Sequence, residues 1–495
     1  MQPNPFLRSL PAVTVIALAV LAMVLSFNGL YGQDAHEYLR LSRACFDLLQ
    51  GMPYAHAGRG DAEFAIGYPL AGALLQGAGL NAVAALQIVS ALSAGVALYF
   101  FNRCLLVLSP GARMESRLVF AGVGLALAPC FLRAGLTVMS DALGLAMTSV
   151  TRPSMSVLTM ASLAHGLRVL ETGKIGTAAG AAFFAGLALI TRFSMAALIL
   201  PVMLAVGVYL LNNRRWVFAL VCTGAAGLAV MPHFWFRAGL PGTVLDHSLL
   251  QDWSVLNLFR STFSNSNGAA AYTLPNGLYM LFPLAHPAFC LALPGLLLLS
   301  KKTDLHLSSK KILAGSLGLY LLFLGGIPHQ NLRYLLPAYA VLLLLFFPAW
   351  DRLFAYGSYF FKRLTYSIIG ATIALQILSG IWFIRPVIAR NHLETQIATT
   401  LQRRLPSGAV LFAFDLDIAL HSYLKDVRII SLWEKQYTAF PPGSFILFNE
   451  AGMQQQWAGR PPMLNWELAK SNYVLSESDT FDGGWRLYEI KGPLK

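Results

Sequence analysis

Apolar runs long enough to cross a lipid bilayer recur along this chain, and they constrain its fold more than any other feature. A helix needs about 20 predominantly apolar residues to cross the hydrocarbon core, and hydrophobic residues fill 56% of the 495 positions. The sequence therefore predicts a polytopic α-helical membrane protein. We expect about eleven spans, at residues 10–30, 81–101, 118–135, 153–170, 175–191, 194–211, 216–236, 277–300, 312–327, 334–350 and 365–384.

The basic residues predict the orientation of these spans. In the predicted topology, all six lysines before residue 385 fall in loops on the same side of the membrane. These lysines are Lys174, Lys301, Lys302, Lys310, Lys311 and Lys362. An excess of lysine and arginine is typical of cytoplasmic loops. The N-terminus is therefore expected in the cytoplasm, and everything after residue 385 outside it. Topology, with a further attraction to anionic lipid, then explains the net charge of +13 better than nucleic-acid binding does. The first apolar run has no cleavage site after it, so we interpret it as a retained helix.

Several kinds of chemistry have no support in the sequence. The five cysteines are scattered, mostly in apolar segments and without metal-ligand spacing, so we interpret them as small core residues. His247, His286 and His329 are far apart in the sequence and also lack such spacing, and we expect no metal cofactor. The phosphate-binding loop GxxxxGK[ST], the zinc-protease motif HExxH and the hydrolase motif GxSxG are all absent from the sequence.

Ionisable residues gather just after the first predicted span. Residues 34–50 place apolar side chains at helical spacing, which predicts an amphipathic helix on the membrane surface. Glycines and a proline then interrupt the pattern, and residues 64–80 form a second short apolar stretch. This predicted outer loop, residues 31–80, is dense in ionisable groups, with Asp34, His36, Glu37, Arg40, Arg43, Asp47, His56, Arg59, Asp61 and Glu63.

A second charged segment lies between Arg133 and Arg152. Because a charge at the bilayer centre costs about 2.5–3.5 kcal/mol on insertion scales, we expect this segment at the outer surface or lining a cavity. Asp141 could bind substrate, or it could form a structural ion pair with Arg152. Acids and isolated arginines then share the outer side, where a carboxylate can take a proton from a hydroxyl and arginines can hold a phosphate.

After residue 385 the sequence becomes polar and alternating. Short β-type runs at 409–414, 427–432, 445–448 and 485–490 accompany helical patterns near 393–404 and 418–424. We therefore divide the chain into a transmembrane domain, residues 1–384, and a small soluble α/β domain outside the membrane, residues 385–495.

The order of four motifs resembles the GT-C superfamily of membrane glycosyltransferases that use polyprenyl-phosphate sugars. The motifs are DAHEYLRLSRA from Asp34, GYPL from Gly67, GLALITRFSMAALILP from Gly186 and HQNLRYLLPAYAVLLL from His329. The likeness is to the bacterial branch related to aminoarabinose and protein-mannosyl transferases. The resemblance covers the whole membrane part.

This resemblance implies inverting transfer of a sugar from a polyprenyl-phosphate donor, such as undecaprenyl phosphate, to an extracytoplasmic hydroxyl on a glycolipid, glycan or protein. It implies Asp34 as general base and Glu37 as a second acid or a ligand of the acceptor. It also implies that Arg333, His329 and Arg192 bind the donor phosphate, and it matches Tyr68 to the end of the family's loop. From their own positions, we expect Asp141 and Asp61 to bind substrate together with Tyr68. The chain departs from the family at the loop lysine near the donor phosphate, because residues 63–65 are Glu-Phe-Ala; Arg59 or an arginine from a later loop is expected to replace it.

Each role has a structural alternative. Asp34 could cap its helix, and Arg333 could extend to the membrane interface without binding anything. Two other functions also fit a polytopic membrane protein. The chain could be a transporter or flippase of lipid-linked glycans, or it could be a non-catalytic scaffold. The acids and arginines gather at one predicted face and no internal repeat is visible, which favours the enzyme over a transporter. No N-x-[ST] sequon falls in the predicted outer regions, which favours a bacterial inner membrane.

Overall fold

The computed structural model describes residues 9–53, 64–145, 158–236, 248–265, 268–290, 293–300, 308–355 and 359–494. Most of these residues are helical, as the apolar runs predict. The helices begin with α1 (Leu10–Val24), α2 (Gly32–Leu49), α3 (Gly67–Gly77), α4 (Ala82–Leu108), α5 (Met114–Phe120), α6 (Pro129–Leu136), α7 (Ser140–Leu145), α8 (Leu158–Thr172), α9 (Ala178–Thr191), α10 (Met195–Asn212) and α11 (Trp216–Phe236).

The second half continues with shorter and then longer helices. They are α12 (Ser248–Gln251), α13 (Asn276–Tyr279), α14 (Phe282–Ala285), α15 (Leu293–Leu299), α16 (Ser308–Gly325), α17 (Leu336–Ala355), α18 (Tyr359–Arg404), α19 (Asp417–Tyr423), α20 (Glu450–Trp457) and α21 (Pro461–Asn472). A hairpin of β1 (Thr262–Asn265) and β2 (Gly268–Ala271) lies between α12 and α13.

Five helices among the described residues are long and apolar enough to cross a membrane, or six with one bent pair. The five are α4, α10, α11, α17 with its preceding turn, and α18. The shorter apolar helices α1 and α9 with its preceding turn fall where two further spans are predicted. The multi-helical membrane character of the prediction is therefore confirmed, whereas its count of eleven spans is not.

Proline interrupts two of the predicted spans. The span predicted at 118–135 is a bent pair, because the helix passes into a π-helical turn at Ala121–Ala126 and restarts at Pro129, with a bend of 71°. The span predicted at 277–300 is wrong as a single helix. Pro283, Pro287 and Pro294 lie within it, and the described part of that segment forms the short helices α13, α14 and α15.

A five-stranded mixed sheet follows α18. Its strands are β3 (Val410–Ala413), β4 (Arg428–Ser431), β5 (Phe445–Phe448), β6 (Tyr473–Thr480) and β7 (Arg486–Pro493). They lie in the order β4-β3-β5-β7-β6, with β3 parallel to both its neighbours and β7 antiparallel to both of its own. The small α/β region is thus present as predicted. The sequence patterns missed β6, α20 and α21, and the domain boundary predicted at residue 385 lies inside α18.

Two main apolar cores correspond to these two parts of the chain. The larger core is built from α4, the bent pair, α8, α10 and α17, with fully buried aromatic residues such as Phe101, Phe131 and Tyr339. The smaller core lies between the sheet and the end of α18, around Leu401, Leu411, Trp466 and Ile490. A third cluster, around Leu39 and Tyr68, packs α2 on α3 and α4 and places α2 against the membrane helices.

Candidate active site

Asp34 and Arg333 form an ion pair at the centre of the candidate site. Asp34 lies in the first turn of α2, whose N-cap is Tyr31, so the alternative role of Asp34 as the cap does not apply. Arg333 lies in a 3₁₀ turn at Leu332–Leu335, where its backbone N–H donates to the Oδ1 of Asn331. The two residues are 299 positions apart in the sequence, so the pair is a product of tertiary folding.

Asp141 and Arg192 form a second ion pair beside the first. Asp141 lies in the first turn of α7, and Arg192 directly follows α9. The side chains are only 5% and 12% exposed. The structure thus pairs Asp141 with Arg192; Arg152, the partner considered from the sequence, lies outside the described residues.

The ring of Tyr334 joins the two pairs into one cluster. The guanidinium carbon of Arg192 lies 4.6 Å from the ring centroid, and that of Arg333 lies 5.3 Å from it. Both distances suit cation–π attraction. The Nη1 of Arg333 also donates to the sulfur of Met139, with a nitrogen–sulfur distance of 3.0 Å. The Nε of Arg333 is buried and has no acceptor in the described part of the chain, so this guanidinium retains a free donor.

Arg133 brings a third guanidinium to the same place. It lies on α6 and lines a pocket with Asp141, Arg333 and Phe383. Its guanidinium carbon lies 5.1 Å from the ring centroid of Tyr31, and no carboxylate of the described residues forms an ion pair with it. Three guanidiniums therefore surround two carboxylates, and the cluster has an excess of positive charge. The rest of the pocket wall is mainly apolar, with Leu332, Ala134 and Ala288.

His329 borders the cluster and is expected to be neutral. Its Nδ1 lies 3.0 Å from the hydroxyl of Tyr272. Burial and the neighbouring Arg333 lower the pKa of His329, and the opposing effect of Asp34 is smaller. Neutral imidazole can hydrogen-bond a phosphate oxygen through an N–H, but it contributes no positive charge to the donor-phosphate role predicted for it.

Tyr68 does not line the pocket. It is fully buried, and its hydroxyl donates to the carbonyl of Leu86 and lies 2.8 Å from the Oγ of Ser90. Its ring packs edge-on against Tyr38 at a centroid distance of 5.1 Å. These contacts support the wall of the site, and they leave the substrate-binding role predicted for Tyr68 without support. Tyr38, whose hydroxyl lies 2.7 Å from the Oγ of Ser140, has its pKa raised by burial to about 12.

The remaining predicted residues lie around α2. Glu37 is 5% exposed and is paired with Arg40 at 2.6 Å, one turn along the same helix. Glu37 is therefore a buried partner of Arg40, one turn from Asp34, and its role as a second acid stays a prediction. Arg59 and Asp61 lie outside the described residues.

Sequence reasoning named Arg133 but did not place it in the site, and it missed Tyr334. The available signal was that Arg133 is separated from Asp141 by a short apolar segment, as expected for a cavity lining. Tyr334 follows Arg333 directly, and an aromatic residue beside an arginine carried no distinctive pattern. Both assignments depended on the bend before α6 and on the loop before α17. Among the described residues, no group of three His, Cys, Asp or Glu side chains is placed to hold a metal ion.

No protein-family model and no curated protein sequence matches this chain, whereas solved structures do. ArnT from Cupriavidus metallidurans, bound to undecaprenyl phosphate, matches with a TM-score of 0.56 and 13% identity over 96% of this chain and 97% of that one. The same protein in the apo state matches with a TM-score of 0.55. The oligosaccharyltransferase of Archaeoglobus fulgidus matches with a TM-score of 0.50 and 12% identity over 97% of this chain and 73% of that one.

These matches extend over nearly the whole chain, although few residues are identical. They confirm the resemblance carried by the four sequence motifs. The protein has the fold of the GT-C membrane glycosyltransferases.

Proposed function

We propose that this protein is an inverting glycosyltransferase that moves a sugar from a polyprenyl-phosphate donor to a hydroxyl acceptor outside the cytoplasm. The ion pair between Asp34 and Arg333 carries the proposal, because it sets a candidate base beside a candidate phosphate ligand. The fold is consistent with it, since ArnT has been crystallised with undecaprenyl phosphate. The proposed location is a bacterial inner membrane, with the C-terminal domain in the periplasm.

In the proposed reaction, Asp34 accepts the proton of the acceptor hydroxyl as the acceptor oxygen attacks the anomeric carbon of the sugar. The bond between that carbon and the phosphate oxygen breaks, and polyprenyl phosphate leaves with the electron pair. Attack from the face opposite the phosphate inverts the anomeric configuration. The carboxylate ends protonated, the sugar ends on the acceptor, and no cofactor enters the reaction.

The arginines act on the leaving group. A sugar phosphodiester carries one negative charge, and the phosphate monoester that leaves carries about 1.5 to 2. Cations fixed near the phosphate therefore stabilise the transition state more than the ground state. Arg333 and Arg133 are the best placed, because within the described part of the chain the Nε of Arg333 has no acceptor and Arg133 has no carboxylate partner. Arg192 and His329 complete the proposed phosphate side. Arg133 is our candidate for the replacement of the family's loop lysine.

Binding of undecaprenyl phosphate is the first test. Native mass spectrometry of the detergent-purified protein should show one bound lipid phosphate, and Arg333→Ala should weaken it by about tenfold or more, the loss of a charge-assisted hydrogen bond. Arg486→Ala, on the exposed sheet, is the matched control. A folded wild-type protein that binds no polyprenyl phosphate would rule out this donor.

The role of Asp34 needs a separate measurement. Asp34→Asn removes the base but keeps the shape of the side chain, so transfer from a polyprenyl-phosphate sugar should fall by about 10² to 10⁴-fold. Lipid-phosphate binding should persist in this variant, since the arginines remain. Full transfer activity in Asp34→Asn would show that Asp34 is not the base.

A further inference from the structure

A chain of ionisable groups connects α2 to the C-terminal sheet, and its end at α2 is fully buried. The Nε2 of His36 lies 3.2 Å from the Oε2 of Glu394, and neither side chain is exposed. The Nε of Arg390 donates to the other oxygen of Glu394 at 2.7 Å. The Nη2 of Arg390 donates to the Oδ2 of Asp415 at 2.8 Å. Asp415 follows the end of β3. His36, Glu394, Arg390 and Asp415 are named the interdomain chain below.

The interdomain chain and the candidate site lie on different faces of α2. Asp34 and His36 are two residues apart, which places them about 200° apart around a helix of 3.6 residues per turn. Asp34 faces Arg333, whereas His36 faces α18 and the ring of Tyr423, 5.3 Å away between centroids. One helix therefore contacts the candidate site on one face and the C-terminal domain on the other.

A polar contact here is not explained by stability alone. Burying a carboxylate is costly, and a well-packed apolar pair at the same place would be at least as stable. A directional hydrogen bond instead fixes the orientation of α2 about its helix axis. The Nδ1 of His36 is buried and has no partner in the described part of the chain, so Glu394 orients the ring. A second contact fixes the start of α2, where the side-chain amide of Asn391 donates to the Oδ1 of Asn28 and the carbonyl of Leu30.

We infer that His36 and Glu394 are positioning residues for Asp34, through which the C-terminal domain holds the candidate base in its working orientation. This inference rests on the proposed function. His36 touches neither Asp34 nor the pocket, so it acts by fixing the rotation of α2. The inference predicts that a change at His36 slows the chemical step without weakening the binding of the lipid phosphate. The arginines proposed to bind that phosphate are not on α2, because they lie on α6, after α9 and before α17.

Transfer kinetics separate positioning from binding. His36→Leu removes the bond to Glu394, and it should lower kcat by about tenfold or more while the KM for the donor and the binding of undecaprenyl phosphate stay as in the wild type. His36→Gln, whose Nε2 can take the place of the imidazole Nε2, should restore most of kcat. Glu450→Gln, which loses an exposed ion pair with Lys470 in the same domain, is the matched control. An unchanged kcat in folded His36→Leu would overturn the inference, and so would a loss of lipid binding that parallels the loss of kcat.

Hydrogen–deuterium exchange gives a readout that needs no activity. Peptides covering residues 32–49 should exchange faster in His36→Leu and in Glu394→Gln than in the wild type or in Glu450→Gln. Equal protection in all four proteins would overturn the inference even if the protein is a glycosyltransferase. The two hypotheses can also fail separately. If the two variants exchange faster than the wild type but the wild-type protein neither binds polyprenyl phosphate nor transfers sugar, the proposed function is wrong and the interdomain contact is still supported.

Discussion

The excess of arginine over carboxylate distinguishes the candidate site from an ordinary buried ion-pair network. Asp34 and Asp141 each pair with an arginine, whereas no carboxylate of the described residues pairs with Arg133, whose guanidinium lies over the uncharged ring of Tyr31. Buried charge without a partner is costly, and binding an anion removes that cost. The acids, Arg192 and Arg333 were predictable from sequence, because charged residues among apolar spans are few. Which acid pairs with which arginine was not, since the partners come from separate helices.

Replacement of Arg133 should weaken the binding of lipid phosphate. Arg133→Gln keeps a long polar side chain and removes the charge, so we expect about a tenfold loss of affinity for undecaprenyl phosphate by native mass spectrometry. Arg260→Gln, outside the pocket, serves as the control. If affinity in Arg133→Gln equals that of the wild type, another cation is the phosphate ligand.

Protonation of His329 should destabilise the protein in mild acid. The pKa of His329 is lowered in the folded state, whereas the unfolded chain takes up a proton near pH 6.5. Below that value the unfolded state binds more protons, so the free energy of unfolding falls as the pH falls toward the folded pKa. Thermal unfolding at about pH 7.5 and 5.5 should show a smaller pH dependence in His329→Gln than in the wild type. The wild-type slope in His329→Gln would contradict the assignment.

Close helix contacts decide where the charged side chains end up. A β-carbon on Gly186 of α9 would lie 2.8 Å from the Cβ of Ala229 and 2.9 Å from the carbonyl oxygen of Ala226, both on α11. Small residues allow such approach between membrane helices. The presence and type of long helices such as α2 and α4 followed from apolar periodicity. The breaks did not, because proline and a π-helical turn set them locally and tertiary packing sets their angle.

A larger residue at Gly186 should disrupt the α9–α11 contact. Gly186→Val should lower the free energy of unfolding by about 1–3 kcal/mol, the usual cost of overpacking, and shift Arg192 away from Asp141. The melting temperature in detergent is the measurement. Gly224→Val on α11 is the control, since a β-carbon there meets no atom within 4 Å. Equal melting temperatures for the two variants would show that the contact is not tight.

We expect the lysine-rich loops and the C-terminal domain to lie on opposite sides of the membrane. Lysines gather in the predicted inner loops, and the mixed sheet follows the last long apolar helix. In intact bacterial cells, an impermeant thiol reagent should label Cys introduced at Lys470 of α21 and not Cys introduced at Lys174, between α8 and α9. Labelling of both after membrane disruption is the control. The reverse pattern in intact cells would invert the proposed topology.

A single helix belongs to both parts of the molecule. The 46 residues of α18 extend over about 69 Å at 1.5 Å per residue; Phe383 lines the pocket and Arg390 lies one to two turns further on. Pro386 lies between these two residues, inside the helix. Because both contacts belong to one continuous helix, a rotation of α18 about its axis would move the pocket wall and the interdomain chain together.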